Sequence, residues 1–374
     1  MNLRTIDLHI ISFDVPLPAN YGGVIDVFNR IKTLHSTGLN IALHCFEYGR
    51  GEQKELEEYC TKVNYYRRDL SFVHLFKKRP FIVSTRKSSD LIDNLIKDDA
   101  PILFEGHHSC YYLGDLRLAD RKKWVRTHNV EQDYYNALAN STSSFFKRLY
   151  FRQEAKKIAA FESNLNHAQK LFSISQNDVN HFVNINRETV LLKPFHPYQV
   201  REIDNQIQNY AIYHGNLAVA ENVEAAKFLI GVFSKLDFRL IIAGKNPNKQ
   251  LIRKAAKEDN IEVVINPNEE SLLALIQNAK INCLFTKQAT GIKLKLLRAL
   301  LEGNAVLVNS KMVEGTSLES FCHLAEDHIQ WRDKVQVIMK SAIDHNQLKE
   351  NKKQISERYN NAKSIEPLIK LIKE

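Results

Sequence analysis

Two doubly wound α/β domains, each a parallel sheet covered by helices, are the fold this sequence predicts. Three observations carry the prediction. Short apolar runs alternate with helical patterns along most of the chain. The alternation restarts after a Pro-containing segment, and 374 residues is a comfortable length for two domains. In the first half the strand candidates are Leu8–Phe13, Ile41–Phe46, Val63–Tyr66, Ile102–Phe104, Trp124–Thr127, Lys170–Ile174 and Val190–Leu192. Val24–Ser36 and Phe145–Asn166 are the clearest helical patterns between them. The link falls at Lys193–Tyr198, where Pro194 and Pro197 each remove a backbone donor and favour extended chain. This divides the chain into residues 1–195 and 196–374. In the second half Tyr210–His214, Phe238–Ala243, Ile261–Ile265, Ile281–Phe285 and Ala305–Val308 read as strands. Val223–Leu236, Gln250–Glu258, Glu269–Asn278 and Lys293–Leu301 read as the intervening helices, and the charged stretch Asp327–Glu374 as helical. Open α/β sheets bind ligands at the C-terminal ends of their strands, so two such sheets facing across a cleft place the expected site there.

Bulk properties exclude several classes. No run approaches the ~20 apolar residues of a membrane span. The N-terminal MNLRTIDLHIISFD enters a strand pattern directly and carries Asp7, unlike a secretory signal. The five cysteines are scattered, odd in number and without a C-x-x-C pair, which argues against a disulfide framework or zinc site and for a cytoplasmic protein. A net charge of +9 points to an anionic partner without choosing among nucleotide, nucleic acid and membrane surface.

Several strand ends carry candidate chemistry. After the first strand comes Asn20-Tyr21-Gly22-Gly23 and a helix; the glycine pair lets backbone N–H groups approach a ligand closely. Its spacing is not that of the G-x-G-x-x-G dinucleotide motif. His128 and Glu131 follow the Trp124–Thr127 strand, and histidine there can donate to a substrate oxygen or exchange a proton near neutrality. Phe104-Glu105-Gly106-His107-His108 ends another strand. Adjacent histidines on a strand point to opposite faces, so this segment reads as a cleft wall touching the acceptor through His107, and no metal ligand set emerges. Phe145–Lys157 interleaves aromatics with basic residues. Membrane-surface and nucleic-acid readings are open, but a domain helix with a charged outer face is preferred.

In the second half Gly215-Asn216, Ala243-Gly244-Lys245 and Ala289-Thr290-Gly291 end strands or open helices. Such glycines can cradle a diphosphate by backbone. Lys293 and Lys295 fall in the first turn of an amphipathic helix, where cations oppose the helix dipole; a cost with no evident structural return suggests a ligand.

On these residues the chain resembles the GT-B glycosyltransferases, specifically glycosyltransferase family 4, over nearly its whole length. The carrying segments are Asn20–Gly23, His128–Glu131, Phe161-Glu162, Tyr213–Leu217 with Asn222, Ala243–Lys245, and Gly291–Lys295 through Gly303–Val306. The resemblance implies two Rossmann-like domains, the first binding an acceptor and the second a nucleotide sugar. It also implies retention of anomeric configuration without a metal or other cofactor, in keeping with the lack of a D-x-D motif. The last helix of such proteins usually crosses back to the first domain. One departure stands out: alignment on Gly303 puts Thr290 and Arg298 where the family usually has two glutamates. Arg298 cannot accept hydrogen bonds from a ribose, which leaves Glu302 or Glu319 to substitute.

The resulting expectation is a hexosyltransferase acting from a nucleotide diphosphate sugar on a hydroxyl of a carbohydrate or lipid-linked glycan, in cell-envelope or capsule polysaccharide synthesis. Gly22, Gly23, Gly215, Asn216, Lys245, Thr290, Gly291 and Ile292 bind the donor. Lys293 and Lys295 stabilise the leaving diphosphate, and His128 hydrogen-bonds the transferred sugar. Asn20, Tyr21, His107 and Glu131 contact the acceptor. A cytoplasmic protein at the inner membrane face, with an anionic membrane surface as second partner and no nucleic acid, completes it. The rivals are a non-hydrolysing sugar-nucleotide epimerase of the same two-domain form and a catalytically degenerate basic binding protein.

Overall fold

Seven parallel strands form the first sheet and six the second. The computed structural model describes residues 5–142, 144–201, 207–287 and 293–374. The expected donor residues Thr290, Gly291 and Ile292 lie outside them. The chain divides into two compact units, Met1–Pro197 with Asn360–Glu374, and Tyr198–Tyr359.

The first unit contains β1 (Leu8–Ser12), β2 (Ile41–Glu47), β3 (Lys62–Arg67), β4 (Ile102–Glu105), β5 (Lys123–Thr127), β6 (Lys170–Ser173) and β7 (Thr189–Leu191). Their spatial order is β3-β2-β1-β4-β5-β6-β7, so the order reverses between β1 and β4. The central strands are buried on both faces, which is why they read as unbroken apolar runs. Its helices are α1 (Gly22–His35), the short α2 (Phe81–Ser84), α3 (Ser89–Leu95), α4 (Glu131–Ser141), α5 (Phe145–Phe161) and α6 (Gln176–Phe182).

The second unit contains β8 (Gln208–Asn216), β9 (Arg239–Lys245), β10 (Ile261–Ile265), β11 (Ala279–Leu284), β12 (Ala305–Val308) and β13 (His323–Leu324), ordered β10-β9-β8-β11-β12-β13. Its helices are α7 (Ala220–Phe233), α8 (Lys249–Ala255), α9 (Glu269–Asn278), α10 (Leu294–Glu302), α11 (Ser310–Val313), α12 (His328–Lys340) and α13 (His345–Arg358). Gly244 admits no side chain, because a Cβ there would lie 2.1 Å from the Gly215 carbonyl oxygen on the paired strand. Phe228 and Phe285 stack at 4.0 Å over the buried Trp331.

A final helix, α14 (Asn361–Lys373), belongs to the first unit. It packs on α1, and its Ile365 and Leu368 are buried with Val24, Val27 and Phe28. Asn361 ties it to the end of the link, donating to the His196 carbonyl at 2.8 Å.

Three elements differ from expectation. β13 has two residues, both exposed, and leaves no apolar run to read. The Phe145–Asn166 pattern ends as an α-helix at Phe161 and continues as a 3-10 turn over Glu162–His167. His107 and His108 open a 3-10 segment after Gly106, whose φ of +65° turns the chain out of the strand.

Truncating Leu368 to alanine removes a buried anchor of α14 and is expected to cost about 2–5 kcal/mol. The two tryptophans report the units separately, Trp124 in β5 and Trp331 in α12. In a Trp331→Phe background, Leu368→Ala lowers the denaturation midpoint seen by Trp124 fluorescence. An unchanged midpoint means that α14 does not stabilise this unit.

Candidate functional site

In the first unit the predicted residues gather at the C-terminal ends of β1, β4 and β5, at the strand-order reversal where open sheets hold ligands. α1 begins at Gly22 after an extended Tyr21, with no capping side chain and no acidic residue in its first turn. The two glycines play different parts. A Cβ on Gly22 would meet nothing within 4 Å, so that position faces open space. A Cβ on Gly23 would lie 2.8 Å from the Phe13 ring, so its size is set by packing. Phe13 in turn stands edge-on to the His128 ring at 5.4 Å.

His128 rests on a buried ionic network. Its Nε2 lies 3.0 Å from Glu105 Oε2, and the other Glu105 oxygen accepts from Arg30. Arg30 also donates to Asp26 Oδ2 at 2.8 Å, one helical turn away. Asp26 further accepts from Arg126 at 3.1 Å and from the Phe195 amide at 2.7 Å. The two guanidiniums overcome burial and hold the Asp26 carboxyl well below the usual carboxylate range. A Glu105 carboxylate that is paired with Arg30 can only accept, so His128 Nε2 carries the hydrogen. His128 Nδ1, buried and without a hydrogen-bond partner among the described residues, is then the acceptor in neutral imidazole. It can accept from a substrate hydroxyl, or donate once protonated.

Asp26, Glu105 and His128 each offer one ligand atom within 4.8 Å of the others. Both carboxylates are already committed to Arg30 and Arg126, whose charges would oppose a divalent cation there. These residues fit an ion-pair network and not a metal centre.

Glu131 opens α4 and is 3% exposed. Burial, with smaller contributions from Asp178 and Glu162, pushes its carboxyl up to about 7, while Asn129 and Arg86 act in the opposite sense. Asp178 is pushed up to about 6, again by burial, against hydrogen bonds from Ser175. Asn20 is exposed and accepts from Arg50 at 3.2 Å, and the half-exposed Tyr21 donates to Asp14 at 2.8 Å. His107 corrects the expectation of a cleft wall. It is 1% exposed and packed on Phe182, its ring nitrogens have no hydrogen-bond partner among the described residues, and burial lowers its pKa to about 4.

The second unit assembles its residues at the ends of β8, β9 and β11. Gly215 and Asn216 pair in register with Gly244 and Lys245, and Lys245 is exposed at the rim. Asn222, at the start of α7, joins the pieces. It donates to the Asn216 carbonyl at 2.9 Å, accepts from Tyr213 at 3.2 Å and receives Lys295 Nζ at 3.0 Å. Gly215 is small because a Cβ would lie 3.3 Å from Asn222. Lys293, the N-cap of α10, reaches Glu221 Oε1 at 3.2 Å, and Lys295 lies over the Tyr213 ring at 5.2 Å. The structural return that the sequence did not reveal is therefore present: α7 and a tyrosine face offset the two lysines at the start of α10. Burial lowers Lys295 to about 8, with Glu221 opposing and Lys293 adding to the shift. His214, buried between these groups, is lowered to about 3 by burial and by Arg298 and Lys295.

The substitute for the missing ribose ligand is constrained. Glu302 is buried and accepts from Arg298 at 2.9 Å, while Arg298 also bonds Glu269 and stacks on Tyr198 at 5.7 Å. Glu319 is exposed on a 3-10 turn, Glu319–Phe321.

Sequence reasoning missed Asp26, Arg30, Glu105 and Arg126 as a site. No local pattern marked them: the apolar stripe of α1 is Val24, Val27, Phe28, Ile31 and Leu34, and Asp26 and Arg30 lie on another side of the helix that is buried as well.

No protein-family model matches the chain. A curated relative, an uncharacterized 44.6 kDa protein in the cps region of Klebsiella pneumoniae, is 27% identical over 329 residues, covering 82% of this chain and 84% of that one. Solved structures resemble it along its full length. TarM superposes with a TM-score of 0.71 at 12% identity, covering 100% of both chains. HepE from Anabaena, in complex with UDP and glucose, gives 0.66 at 11% identity over 99% of this chain and 100% of that one. WaaG, a glycosyltransferase involved in lipopolysaccharide biosynthesis, gives 0.66 at 11% identity over 98% and 99%. The fold is thus the two-unit Rossmann-like architecture these proteins share.

In the folded state Glu131 binds a proton between about pH 4.5 and 7 that the unfolded chain releases, so this group lowers stability as pH rises through that window. Glu131→Gln is expected to remove its share of the slope, making the variant more stable relative to wild type at pH 8 than at pH 5. Chemical denaturation at the two pH values measures that difference. An equal difference at both means that Glu131 does not titrate near neutrality.

Proposed function

We propose that the protein is a glycosyltransferase that moves a hexose from a nucleotide diphosphate sugar to a hydroxyl of a carbohydrate acceptor. The carrying observation is the pairing of Lys293 and Lys295 with Glu221 and Asn222 in the first turn of α7, at the strand-order reversal of the second sheet. Leaving-group charge develops on the diphosphate. Two cations held in place by Glu221, Asn222 and Tyr213 stabilise that charge without reorganising. They supply locally what a metal supplies in other diphosphate sites, and transfer on this reading is metal-independent and retaining. The free Gly22 face and His128 Nδ1 serve the sugar and acceptor in the first unit, with Glu105 orienting the imidazole.

The neighbours support this reading: the HepE structure is a complex with UDP and glucose, and WaaG is a glycosyltransferase involved in lipopolysaccharide biosynthesis. The Klebsiella relative comes from a cps region. We assign the acceptor to envelope or capsule polysaccharide, presented as a lipid-linked glycan.

A thermal-shift screen with UDP, GDP, CDP, ADP and their sugars, with EDTA present, tests the donor site. One nucleotide is expected to raise the midpoint selectively, as a ligand of the folded state must. Because a bound diphosphate favours charged Lys295, its affinity should fall as pH rises through about 8. No shift with any nucleotide removes the donor-site reading.

With donor and acceptor supplied, Lys293→Ala/Lys295→Ala is expected to lower kcat by roughly a hundredfold or more, the size seen when a preorganised donor is lost. Unchanged turnover in the double variant removes the diphosphate-cradle role.

A further inference from the structure

We propose that the first unit carries a docking surface for an anionic lipid bilayer, formed by the N-terminal half of α5 and the segment 72–79. The sugar-transfer reading profits from such a surface if its acceptor is lipid-borne, but the surface stands on separate observations. Among the described residues every exposed phenylalanine lies in these two segments: Phe72, Phe76, Phe145 and Phe146. Phe76 is 84% and Phe146 82% exposed, and Leu149 and Val73 extend the same character. Phe145 and Phe146 stand together with ring centroids 5.9 Å apart, and the four side chains in all expose on the order of several hundred Å² of apolar surface.

The two segments are fastened together. Lys157 Nζ on α5 donates to the Leu75 carbonyl at 2.7 Å, and Glu154 accepts from the Phe81 amide at 2.6 Å. Along α5, Phe145, Leu149, Arg152 and Lys156 follow one another at three- and four-residue steps, so they form one outward stripe that runs from apolar to basic. Segment 72–79, attached through another side of α5, ends in Lys77, Lys78 and Arg79, all exposed. The one acid of α5, Glu154, is buried against Lys157 and contributes nothing to the outer face. The outer face of α5 thus carries charge, as preferred from the sequence, and exposed apolar side chains beside it.

Exposed phenylalanine, leucine and valine flanked by long basic side chains match a lipid–water interface. Rings enter the acyl boundary, and lysine and arginine remain at the anionic headgroups. A single-stranded nucleic acid asks for a stacking platform along a basic groove, whereas these rings stand at a helix start and on a 3-10 turn, Phe72–Phe76. No helix among the described residues is long and apolar enough to cross a membrane, so the chain would lie on the surface.

Flotation of the full-length protein with lipid vesicles tests this without any donor or acceptor, so its failure and that of the sugar-transfer reading are distinguishable. Wild type is expected to float with phosphatidylglycerol-containing vesicles, to stay behind with pure phosphatidylcholine, and to be released by salt. Phe145→Ser/Phe146→Ser and Phe72→Ser/Phe76→Ser each lower partitioning roughly tenfold or more, with unchanged thermal midpoint. Lys77→Glu/Lys78→Glu weakens binding only to the anionic vesicles. The proposal is overturned if wild type ignores phosphatidylglycerol vesicles, if the phenylalanine pairs float like wild type, or if the same variants abolish binding to single-stranded RNA while vesicles are not bound.

Discussion

A single buried carboxylate holds the first unit's candidate site together. Asp26 joins the middle of α1 to β5 through Arg126 and to the end of the link through the Phe195 amide, contacts separated by 100 and 169 positions in the chain. Arg30 extends the network to Glu105, and Glu105 extends it to His128. Four buried charges in such proximity are tolerable only because each is paired and hydrogen-bonded; removing one partner from such a group typically costs about 3–5 kcal/mol. The orientation of a prospective catalytic imidazole is thereby made dependent on the same contacts that fasten the helix to the sheet.

The second unit solves a comparable problem with one carboxylate and two neutral groups. Two lysines at a helix start would repel one another and the helix dipole. Asn222, Glu221 and the Tyr213 face absorb them, and Gly215 is left without a side chain so that Asn222 can occupy the turn. Arg298, where a ribose ligand was expected, instead binds Glu302 and Glu269 and stacks on Tyr198 just after the link. Through these contacts it ties α10 to α9 and to Tyr198.

The sheets were legible because buried parallel strands leave unbroken apolar runs, and Ile261–Ile265 and Ala305–Val308 were read to the residue. Strand ends and helix starts were legible as positions, and His128, Gly22 and the Lys293/Lys295 pair stand at the ones read for them. What escaped is what depends on long-range partners. Nothing local shows that Asp26 meets Arg126, or that Lys295 meets a tyrosine face. His107 looked accessible because a histidine after a strand usually is, yet the turn at Gly106 carries it inward against Phe182. The outward position of the α5 phenylalanines was not legible, since interleaved aromatic and basic residues do not show by spacing alone which side is covered.

The return of α14 to α1 also bears on how the chain acquires its structure during synthesis. The groove on α1 that Ile365 and Leu368 fill is made of residues translated early, and its cover is translated last, after the whole of Tyr198–Tyr359. At roughly 5–20 residues per second that interval is on the order of ten to thirty seconds, long enough for the second unit to fold first. The nascent first unit thus spends that time with an apolar seam open to chaperones and to other chains. Its completion is a late event gated by the length of the insert.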